Sequence, residues 1–387
     1  MIYLDNAATS HPKPEAVYQR VDHVLRNVSA NPGRSGHAMA VEADRVIFGA
    51  RESIAELFGI KHPDRIIFTP NATAALNVAL KGRLRPRDHC VTTSMEHNSV
   101  TRPLRYLSQL GVEFDKAVPG PDGVLPAEAV ISLFRENTAL VAMTHASNVI
   151  GTITPVAEIA AAARERGIPV LLDAAQTAGT VRIDVEEMGI DLLACPGHKG
   201  LYGPQGTGFL YISPKVELRP IIFGGTGSRS DVEVMPDFLP DRYEAGTLNT
   251  PGIAGLSAGV EYILATGRDT IRAHEVSLCG RLIEGLSGIP GVVVYGVSDA
   301  SMRASVVSFN VEGVDPGAVG DRLDSDFDIA ARVGLHCAPD AHKAIGTFPR
   351  GAVRLSPGYF NTESEMDVAV EAVREIAKGR DTGKAVL

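Results

Sequence analysis

The chain has 387 residues, 44% of them hydrophobic and 21% charged, and its formal net charge is −9. This length allows two domains, and the composition is that of a folded globular protein. The negative charge and the lack of any basic run argue against nucleic acid as a partner. No apolar run is long enough for a membrane helix, and the first residues, MIYLDNAATS, lack the pattern of a signal peptide.

Between residues 65 and 212, short apolar runs alternate with helical patterns. The runs are RIIFT (65–69), HCVTTS (89–94), ALVAMTHAS (139–147), PVLLDAAQ (169–176), DLLACPGHK (191–199) and GTGFLYI (206–212). Short strands separated by helices predict βαβ units and a largely parallel sheet that is covered on both faces. Ligands of such sheets bind beyond the carboxyl ends of the strands. Polar residues follow these strands at Thr69, Glu96, His97, Ser147, Asn148, Asp173, His198 and Lys199.

The pattern changes after about residue 250. Helical stretches at 252–266 and 270–287 lead into strand-like runs at 291–295, 304–310 and 352–355. The last helix begins where Thr362 and Glu365 have the spacing of a capping box. We therefore predict a large domain over residues 15–250, and a smaller α+β domain that combines residues 1–14 with 251–387.

The four cysteines are scattered and form no CxxC pair, so a disulfide framework or a zinc site is not expected and a reducing cytoplasm is the predicted location. Cys90 and Cys195 lie in apolar runs and Cys279 lies in a helical pattern, which predicts packing roles. Cys337 instead lies among glycine, proline, arginine and histidine in ARVGLHCAPDAHK (331–343). If one thiol is functional, it acts alone.

Asp173 and Lys199 predict a cofactor site. Desolvation disfavours the charge of a lysine at a buried strand end, and a lysine with a lowered pKa can attack an aldehyde. Pyridoxal 5'-phosphate needs such a lysine, an acidic partner for its ring nitrogen and a phosphate cradle. The run TPNATAAL offers a helix N-terminus for the phosphate. Taken singly, such a lysine is more often a snorkelling surface residue and such an aspartate a helix cap.

The order of motifs carries more information than any one of them. From end to end the chain contains YLDNAAT, NPGRSGH, EHNS, SNVIGT, DAAQ, GHKGLYGPQGTG, RYEAGTLNT, RVGLHCAP and RLSPGYFNT. The sequence resembles the class V aminotransferase family of fold-type I pyridoxal-phosphate enzymes, and within it the cysteine desulfurase and selenocysteine lyase group. The resemblance implies an α/β fold, in which a large domain with a mostly parallel sheet covered by helices is joined to a smaller α+β C-terminal domain.

The resemblance also implies roles for individual residues. Lys199 would hold the cofactor and move the α-proton, and His97 would stack on the cofactor ring. The other predicted contacts are Asp173 to the ring nitrogen, Gln176 to the phenolic oxygen, Ala72, Thr73 and His198 to the phosphate, Thr247 to the phosphate of a second subunit, Asn148 to cofactor and substrate, and Arg354 to the substrate carboxylate. Without the resemblance, His97 fits an ordinary loop histidine, Arg354 a strand-edge charge and Cys337 an inert loop thiol.

Cys337 is predicted to accept sulfur from L-cysteine as a persulfide, with release of L-alanine. That task needs a mobile, accessible thiol whose thiolate is favoured by nearby positive charge. Gly334 offers mobility, and Arg332 and His336 are the neighbouring sources of charge. The expected partners are an amino acid substrate, a second copy of the chain and a sulfur-acceptor protein, with no metal, nucleic acid or membrane.

Three residues depart from the closest desulfurase pattern. Pro196 stands where a hydroxyl residue is common, Asn71 replaces a glycine of the phosphate turn, and Leu335 replaces the first histidine of a His-His-Cys run. Two alternatives therefore stay open: an aminotransferase or a selenocysteine or other C–S lyase in which Cys337 is dispensable, and an inactive homologue that serves as a scaffold. The glycines around Lys199 do not have the spacing of a P-loop, and no Rossmann G-x-G-x-x-G opens a helix.

Overall fold

The computed structural model describes residues 1–33, 36–120, 122–229 and 231–379. Two positions of the NPGRSGH motif (34 and 35) and the end of the chain (380–387) lie outside these ranges. Within them, no helix combines the length and apolar content needed to cross a bilayer.

Helices and strands alternate through the first half of the chain, as the sequence predicts. The α-helices are α1 (Glu15–Asn27), α2 (Ala38–Phe58), α3 (Ala72–Arg83), α4 (Asn98–Gln109), α5 (Ala127–Ile131), α6 (Val156–Glu165), α7 (Thr250–Thr266), α8 (Arg268–Ser287), α9 (Pro316–Phe327), α10 (Pro339–Ala344) and α11 (Glu363–Lys378). The strands are β1 (Ile2–Tyr3), β2 (Ile66–Thr69), β3 (His89–Thr93), β4 (Glu113–Ala117), β5 (Thr138–Thr144), β6 (Val170–Asp173), β7 (Leu192–Pro196), β8 (Gly208–Ile212), β9 (Val292–Tyr295), β10 (Val307–Val311), β11 (Ile329–Ala330), β12 (Arg332–Gly334) and β13 (Ala352–Leu355).

The large sheet has seven strands in the order β2-β8-β7-β6-β5-β3-β4. All neighbours are parallel except β8, which runs antiparallel to both β2 and β7. Alternate side chains of the central strands enter two apolar clusters: Val141 and Leu172 pack on one side, and Leu140 and Leu171 on the other. This arrangement confirms the predicted mostly parallel sheet with helices on both faces.

The second half of the chain forms a smaller sheet of four antiparallel strands in the order β12-β13-β10-β9. Its core includes one face of α11, with Met366 and Val373 fully buried, and the helix begins with the predicted capping box of Thr362 and Glu365. The N-terminal strand β1 pairs in parallel with β11. The first residues therefore pack with the last third of the chain, and the division into domains at residues 14 and 250 stays a prediction.

Candidate active site

The predicted site residues gather where the strands of the large sheet end. Lys199 follows β7, Asp173 is the last residue of β6, and His97 lies between β3 and α4. Thr73 is in the first turn of α3, which follows β2. Arg354 comes from β13 of the smaller sheet, so both sheets contribute to one site.

Lys199 and Asp173 carry opposite charges on neighbouring strand ends. Burial, then the positive charge of Arg354, lowers the pKa of Lys199 to about 8, while Asp173 opposes that change. Asp173 is only 3% exposed, and one carboxyl oxygen accepts a hydrogen bond from the N–H of Ala175 at 3.0 Å. Burial raises the pKa of this carboxyl, and the Ala175 N–H and Lys199 counteract the rise. An amine with a lowered pKa is a nucleophile near neutral pH.

His97 is connected to Thr73 through a residue that the sequence did not single out. Nδ1 of His97 accepts a hydrogen bond from the backbone N–H of Ser99 at 3.1 Å, and it lies 2.8 Å from Oγ of Ser99. The Ser99 hydroxyl lies 2.7 Å from that of Thr73. A backbone N–H can only donate, so Nδ1 is unprotonated and Nε2 carries the proton. Burial, then the charge of Lys199, lowers the pKa of His97 to about 4, which keeps the ring neutral.

Groups suited to an anion surround the start of α3. Asn71 caps this helix, with its side-chain oxygen accepting from the N–H of Ala74 at 2.9 Å. The N–H groups of Ala72 and Thr73 belong to the first turn, which has no preceding carbonyls to bond, and the helix dipole adds positive potential there. Nδ1 of His198 is buried and has no hydrogen-bond partner in the described structure. Burial lowers the pKa of His198 to about 4.

Arg354 is 1% exposed, and the three nitrogens of its guanidinium group have different surroundings. Nη2 forms an ion pair with Asp5 at 2.7 Å, and Nη1 donates to the Asn148 carbonyl at 3.0 Å. Nε is buried without a partner among the described residues. The side-chain amide of Asn148 donates to the carbonyl of His336 at 2.6 Å, which links this region to the loop of Cys337.

Cys337 lies in a tight turn rather than an open loop. His336 and Cys337 both have positive φ angles, 47° and 58°, and the N–H of Ala338 bonds to the carbonyl of Leu335 at 2.9 Å. These are features of a type I′ turn, which usually contains glycine or asparagine at such positions. The Cys337 carbonyl accepts from the N–H of Asn98 at 2.8 Å. The turn is therefore attached to the first residue of α4, directly after His97.

Of the four cysteines, Cys337 is exposed and Cys90, Cys195 and Cys279 are buried. Burial raises the pKa of each of these three thiols, which makes them poor nucleophiles and agrees with the predicted packing roles. Nη2 of Arg332 lies 3.8 Å from Sγ of Cys337. The predicted positive neighbour of the thiol is therefore present.

The prediction that His336 adds positive charge beside the thiol is wrong. The His336 ring is 3% exposed and stacks on His342, with the ring centres 5.3 Å apart. Burial, followed by the charge of Arg354, lowers the pKa of His336 to about 2. The ring is therefore neutral and lies in the interior, whereas the Cys337 thiol is exposed.

The remaining predicted residues have different surroundings. Gln176 lines a small cavity together with Lys199, and its amide donates to the carbonyl of Ala7 at 3.2 Å. Pro196 is the last residue of β7 and is buried. Thr247 is exposed in the segment before α7, and no hydrogen bond joins it to the other candidate residues in the described part of the chain. A contact of Thr247 with a second subunit stays a prediction.

Positive charge exceeds negative charge around the site. Lys199, Arg332 and Arg354 are close enough to influence one another, and Asp173 and Asp5 are the opposing carboxylates. Lys13 adds a further cation, with Nζ 3.4 Å from the His198 carbonyl and a pKa that burial lowers to about 8. Such a balance favours a ligand that carries negative charge.

The family model for aminotransferase class-V matches residues 2–368 of the chain. The chain belongs to this family. Among curated members, a probable cysteine desulfurase of Methanothermobacter thermautotrophicus is 37% identical over 384 residues, which are 97% of this chain and 94% of the relative.

Solved structures of cysteine desulfurases have the same fold. The apo cysteine desulfurase of Thermococcus onnurineus superposes with a TM-score of 0.90 at 34% identity, over 98% of this chain and 95% of that one. The cysteine desulfurase CsdA of Escherichia coli, in an S-sulfonic acid form, gives a TM-score of 0.86 at 28% identity, over 97% of this chain and 94% of that one. These matches confirm the predicted fold class over nearly the whole chain.

Membership in class V implies pyridoxal phosphate, and the residues present fit that group. The unpartnered Nδ1 of His198 and the free N–H groups at the start of α3 are suited to a phosphate. Lys199 has a nucleophilic amine, and Asp173 is a buried carboxyl of the kind that pairs with a ring nitrogen. The unpartnered Nε of Arg354 leaves a donor for a carboxylate.

Proposed function

We propose that this protein is a pyridoxal-phosphate-dependent cysteine desulfurase, which converts L-cysteine to L-alanine and accepts the sulfur on Cys337 as a persulfide. One observation carries the proposal. The exposed thiol belongs to a turn whose carbonyl is hydrogen-bonded to the first residue of α4, next to His97 at the strand ends that bear Lys199. The desulfurase names of the full-length relatives agree with this chemistry.

In this proposal, the large sheet supplies the residues that hold the cofactor. Lys199 binds its aldehyde, Asp173 its ring nitrogen and Gln176 its phenolic oxygen, and His97 stacks on its ring. Ala72, Thr73 and His198 hold the phosphate, with Thr247 of a second copy of the chain. When bound, pyridoxal phosphate is an electron sink that allows the substrate to lose its α-proton and weakens the Cβ–Sγ bond.

Arg354 and Asn148 are the proposed contacts of the substrate. Arg354 has a buried, unpartnered N–H on Nε, and a guanidinium can bind a carboxylate through two parallel hydrogen bonds. Asn148 lies beside it, since its carbonyl accepts from Nη1 of Arg354. Lys199, with an amine that loses its proton near neutral pH, is suited to remove the α-proton.

Cys337 is the proposed sulfur acceptor. Its thiolate attacks the sulfur of the substrate, so that an S–S bond forms as the Cβ–Sγ bond breaks and the electron pair of that bond remains with the carbon skeleton. Protonation of that skeleton then yields alanine. Nη2 of Arg332, 3.8 Å from Sγ, places a positive charge beside the thiol.

Two experiments test this function separately. Borohydride reduction in the presence of pyridoxal phosphate is expected to fix the cofactor to the peptide of Lys199, and Lys199→Ala abolishes this product.

Cys337→Ala is expected to lose sulfide and alanine release from L-cysteine with a reductant, whereas the buried control Cys279→Ala retains both. Full activity of Cys337→Ala would favour a lyase without a persulfide. A keto acid formed with an amino acceptor would favour an aminotransferase.

We further propose that the enzyme is a cytoplasmic homodimer that passes sulfur to an acceptor protein. Large apolar side chains are exposed on α1 and α2 and in the segment before α7, including Tyr18, Phe48, Phe223 and Val234. These side chains are the candidate contacts of an interface between subunits. Sedimentation analysis of the holoenzyme tests the dimer, and a monomeric active enzyme would exclude it.

A further inference from the structure

The turn that carries Cys337 has a conformation that its own residues do not favour. Positive φ angles cost a residue with a side chain roughly 1 kcal/mol or more, and here two such residues, His336 and Cys337, are adjacent. A turn of this kind persists only when its surroundings hold it. The backbone carbonyls of His336 and Cys337 are held from outside by Asn148 and Asn98.

The remaining support is a row of buried polar side chains beneath the turn. Oγ1 of Thr347 lies 2.7 Å from Nδ1 of His342. Nε2 of His342 lies 3.3 Å from Nδ1 of His336, and Nε2 of His336 lies 3.4 Å from the Arg332 carbonyl. Leu335, the first residue of the turn, also has its carbonyl within hydrogen-bonding reach of His342. The row thus extends from the segment after α10 to the strand that bears Arg332.

Only one arrangement of protons satisfies every link while both rings are neutral. The Arg332 carbonyl can only accept, so His336 must carry its proton on Nε2 and accept at Nδ1. His342 must then donate from Nε2 and accept at Nδ1, which requires the hydroxyl of Thr347 as the donor. The Arg332 carbonyl therefore sets the direction of the row, and the Thr347 hydroxyl, which also lies 3.4 Å from the His342 carbonyl, supplies the proton at its other end.

We propose that Thr347 and His342 are positioning residues, which hold the turn so that the Cys337 thiol lies beside Arg332 and faces the site. Among the described residues, no hydrogen bond joins either side chain to the thiol or to the predicted substrate contacts. Their effect passes through His336, because its ring contacts the Arg332 carbonyl and its backbone is part of the turn. The inference rests on the proposed function only for the step in which the thiol accepts sulfur.

Thr347→Val tests the proposal, because valine has the shape of threonine without the hydroxyl. Thr347→Ser is the matched control that keeps the hydroxyl. In the holoenzyme, the rate at which iodoacetamide alkylates Cys337 is expected to fall about five- to tenfold in Thr347→Val, the loss that corresponds to one buried hydrogen bond. The yield of Cys337 persulfide after L-cysteine is expected to fall with it. In Thr347→Ser, the alkylation rate and the persulfide yield are expected to stay within about twofold of the wild-type values.

A second variant, His342→Asn, keeps the comparison informative if Thr347→Val folds poorly, and it is expected to slow alkylation at least as much. Cofactor absorbance and the unfolding midpoint are measured in every variant, because a general loss of structure would change those as well. Wild-type alkylation rates and persulfide yields in both Thr347→Val and His342→Asn would overturn the proposal. A wild-type enzyme that forms no persulfide would instead contradict the proposed function, while the alkylation rates would still test the positioning role.

Discussion

Arg354 and Asp5 form an ion pair in which Nη2 lies 2.7 Å from Oδ1. The pair joins β13 to the segment that follows β1, and it occupies part of the guanidinium that is proposed to bind the substrate carboxylate. Asp5 also pairs with Ser356, next to β13, in an isolated parallel bridge, in which the Ser356 N–H donates to the Leu4 carbonyl at 2.7 Å and the Asn6 N–H donates to the Ser356 carbonyl at 3.1 Å. A substrate carboxylate at Arg354 would therefore approach a second carboxylate, and like charges at close range repel each other.

Removal of the negative charge of Asp5 is expected to strengthen the binding of the substrate carboxylate to Arg354. Asp5→Asn keeps the shape of the side chain and should lower the KM for L-cysteine about threefold, while Arg354→Lys should raise it about tenfold, because lysine cannot form the paired contact. Steady-state kinetics measure both values. A higher KM in Asp5→Asn would mean that Asp5 positions Arg354 rather than competing with the substrate.

Ser99 is expected to orient His97 through its hydroxyl. Ser99→Ala removes the 2.8 Å contact to Nδ1 and the 2.7 Å contact to Thr73, which should lower kcat/KM about ten- to thirtyfold, the cost of two hydrogen bonds at about 1 kcal/mol each. The Ser99 backbone N–H still donates to Nδ1 in this variant, so nitrogen NMR of labelled His97 should still show the Nε2–H tautomer. Ser108→Ala, a change at a half-buried position near the end of the same helix, is the control. Unchanged kinetics in Ser99→Ala would contradict this role.

Cofactor attachment to the apoenzyme is expected to follow the titration of Lys199. Only the free amine attacks an aldehyde, and burial and nearby arginines lower the pKa of Lys199 to about 8 from its ordinary value of 10.5. The rate of attachment, followed by absorbance, should therefore rise with pH and level off above about 8. A rate that continues to rise towards pH 10 would show that the amine titrates like that of an exposed lysine.

Glu275 is expected to destabilise the fold at alkaline pH. It is buried on α8 and lines a small cavity with Tyr202, and burial raises the pKa of its carboxyl to about 8 from 4.5. Below pH 4.5 the carboxyl is protonated in both the folded and the unfolded state, so its ionisation does not change the free energy of unfolding. Between pH 4.5 and 8 the unfolded state releases the proton first, so stability is progressively lost, and above 8 the loss is constant.

Glu275→Gln removes that ionisation. It should raise the free energy of unfolding by about 2–4 kcal/mol at pH 8.5, given 1.36 kcal/mol for each unit of pKa, and by less than about 1 kcal/mol at pH 5. Denaturant unfolding at the two pH values measures the difference. Glu284→Gln, an exposed change on the same helix, should leave the free energy of unfolding unchanged at both pH values. An equal effect of Glu275→Gln at both pH values would contradict the raised pKa.

Much of this site follows from simple rules of chain topology. Asp173, His97 and Lys199 could be predicted because parallel strands bring their carboxyl ends to one edge, and each residue comes directly after an apolar run. Arg354 and Cys337 were identified by resemblance to a family, since nothing in their local pattern requires a role. Ser99, Thr347 and His342 could not be found in this way, because their function depends on hydrogen bonds between side chains that only tertiary packing brings together. His336 was misjudged for the same reason: proximity in sequence to Cys337 does not reveal that its ring is buried against His342.

The most direct test of the proposed chemistry is mass spectrometry of the holoenzyme after brief mixing with L-cysteine in the absence of a reductant. The peptide that contains Cys337 is expected to gain the mass of one sulfur atom, with one equivalent of alanine released per modified thiol. The peptides of Cys90, Cys195 and Cys279, all buried, should be unchanged. Alanine release with an unmodified Cys337 peptide would contradict the account.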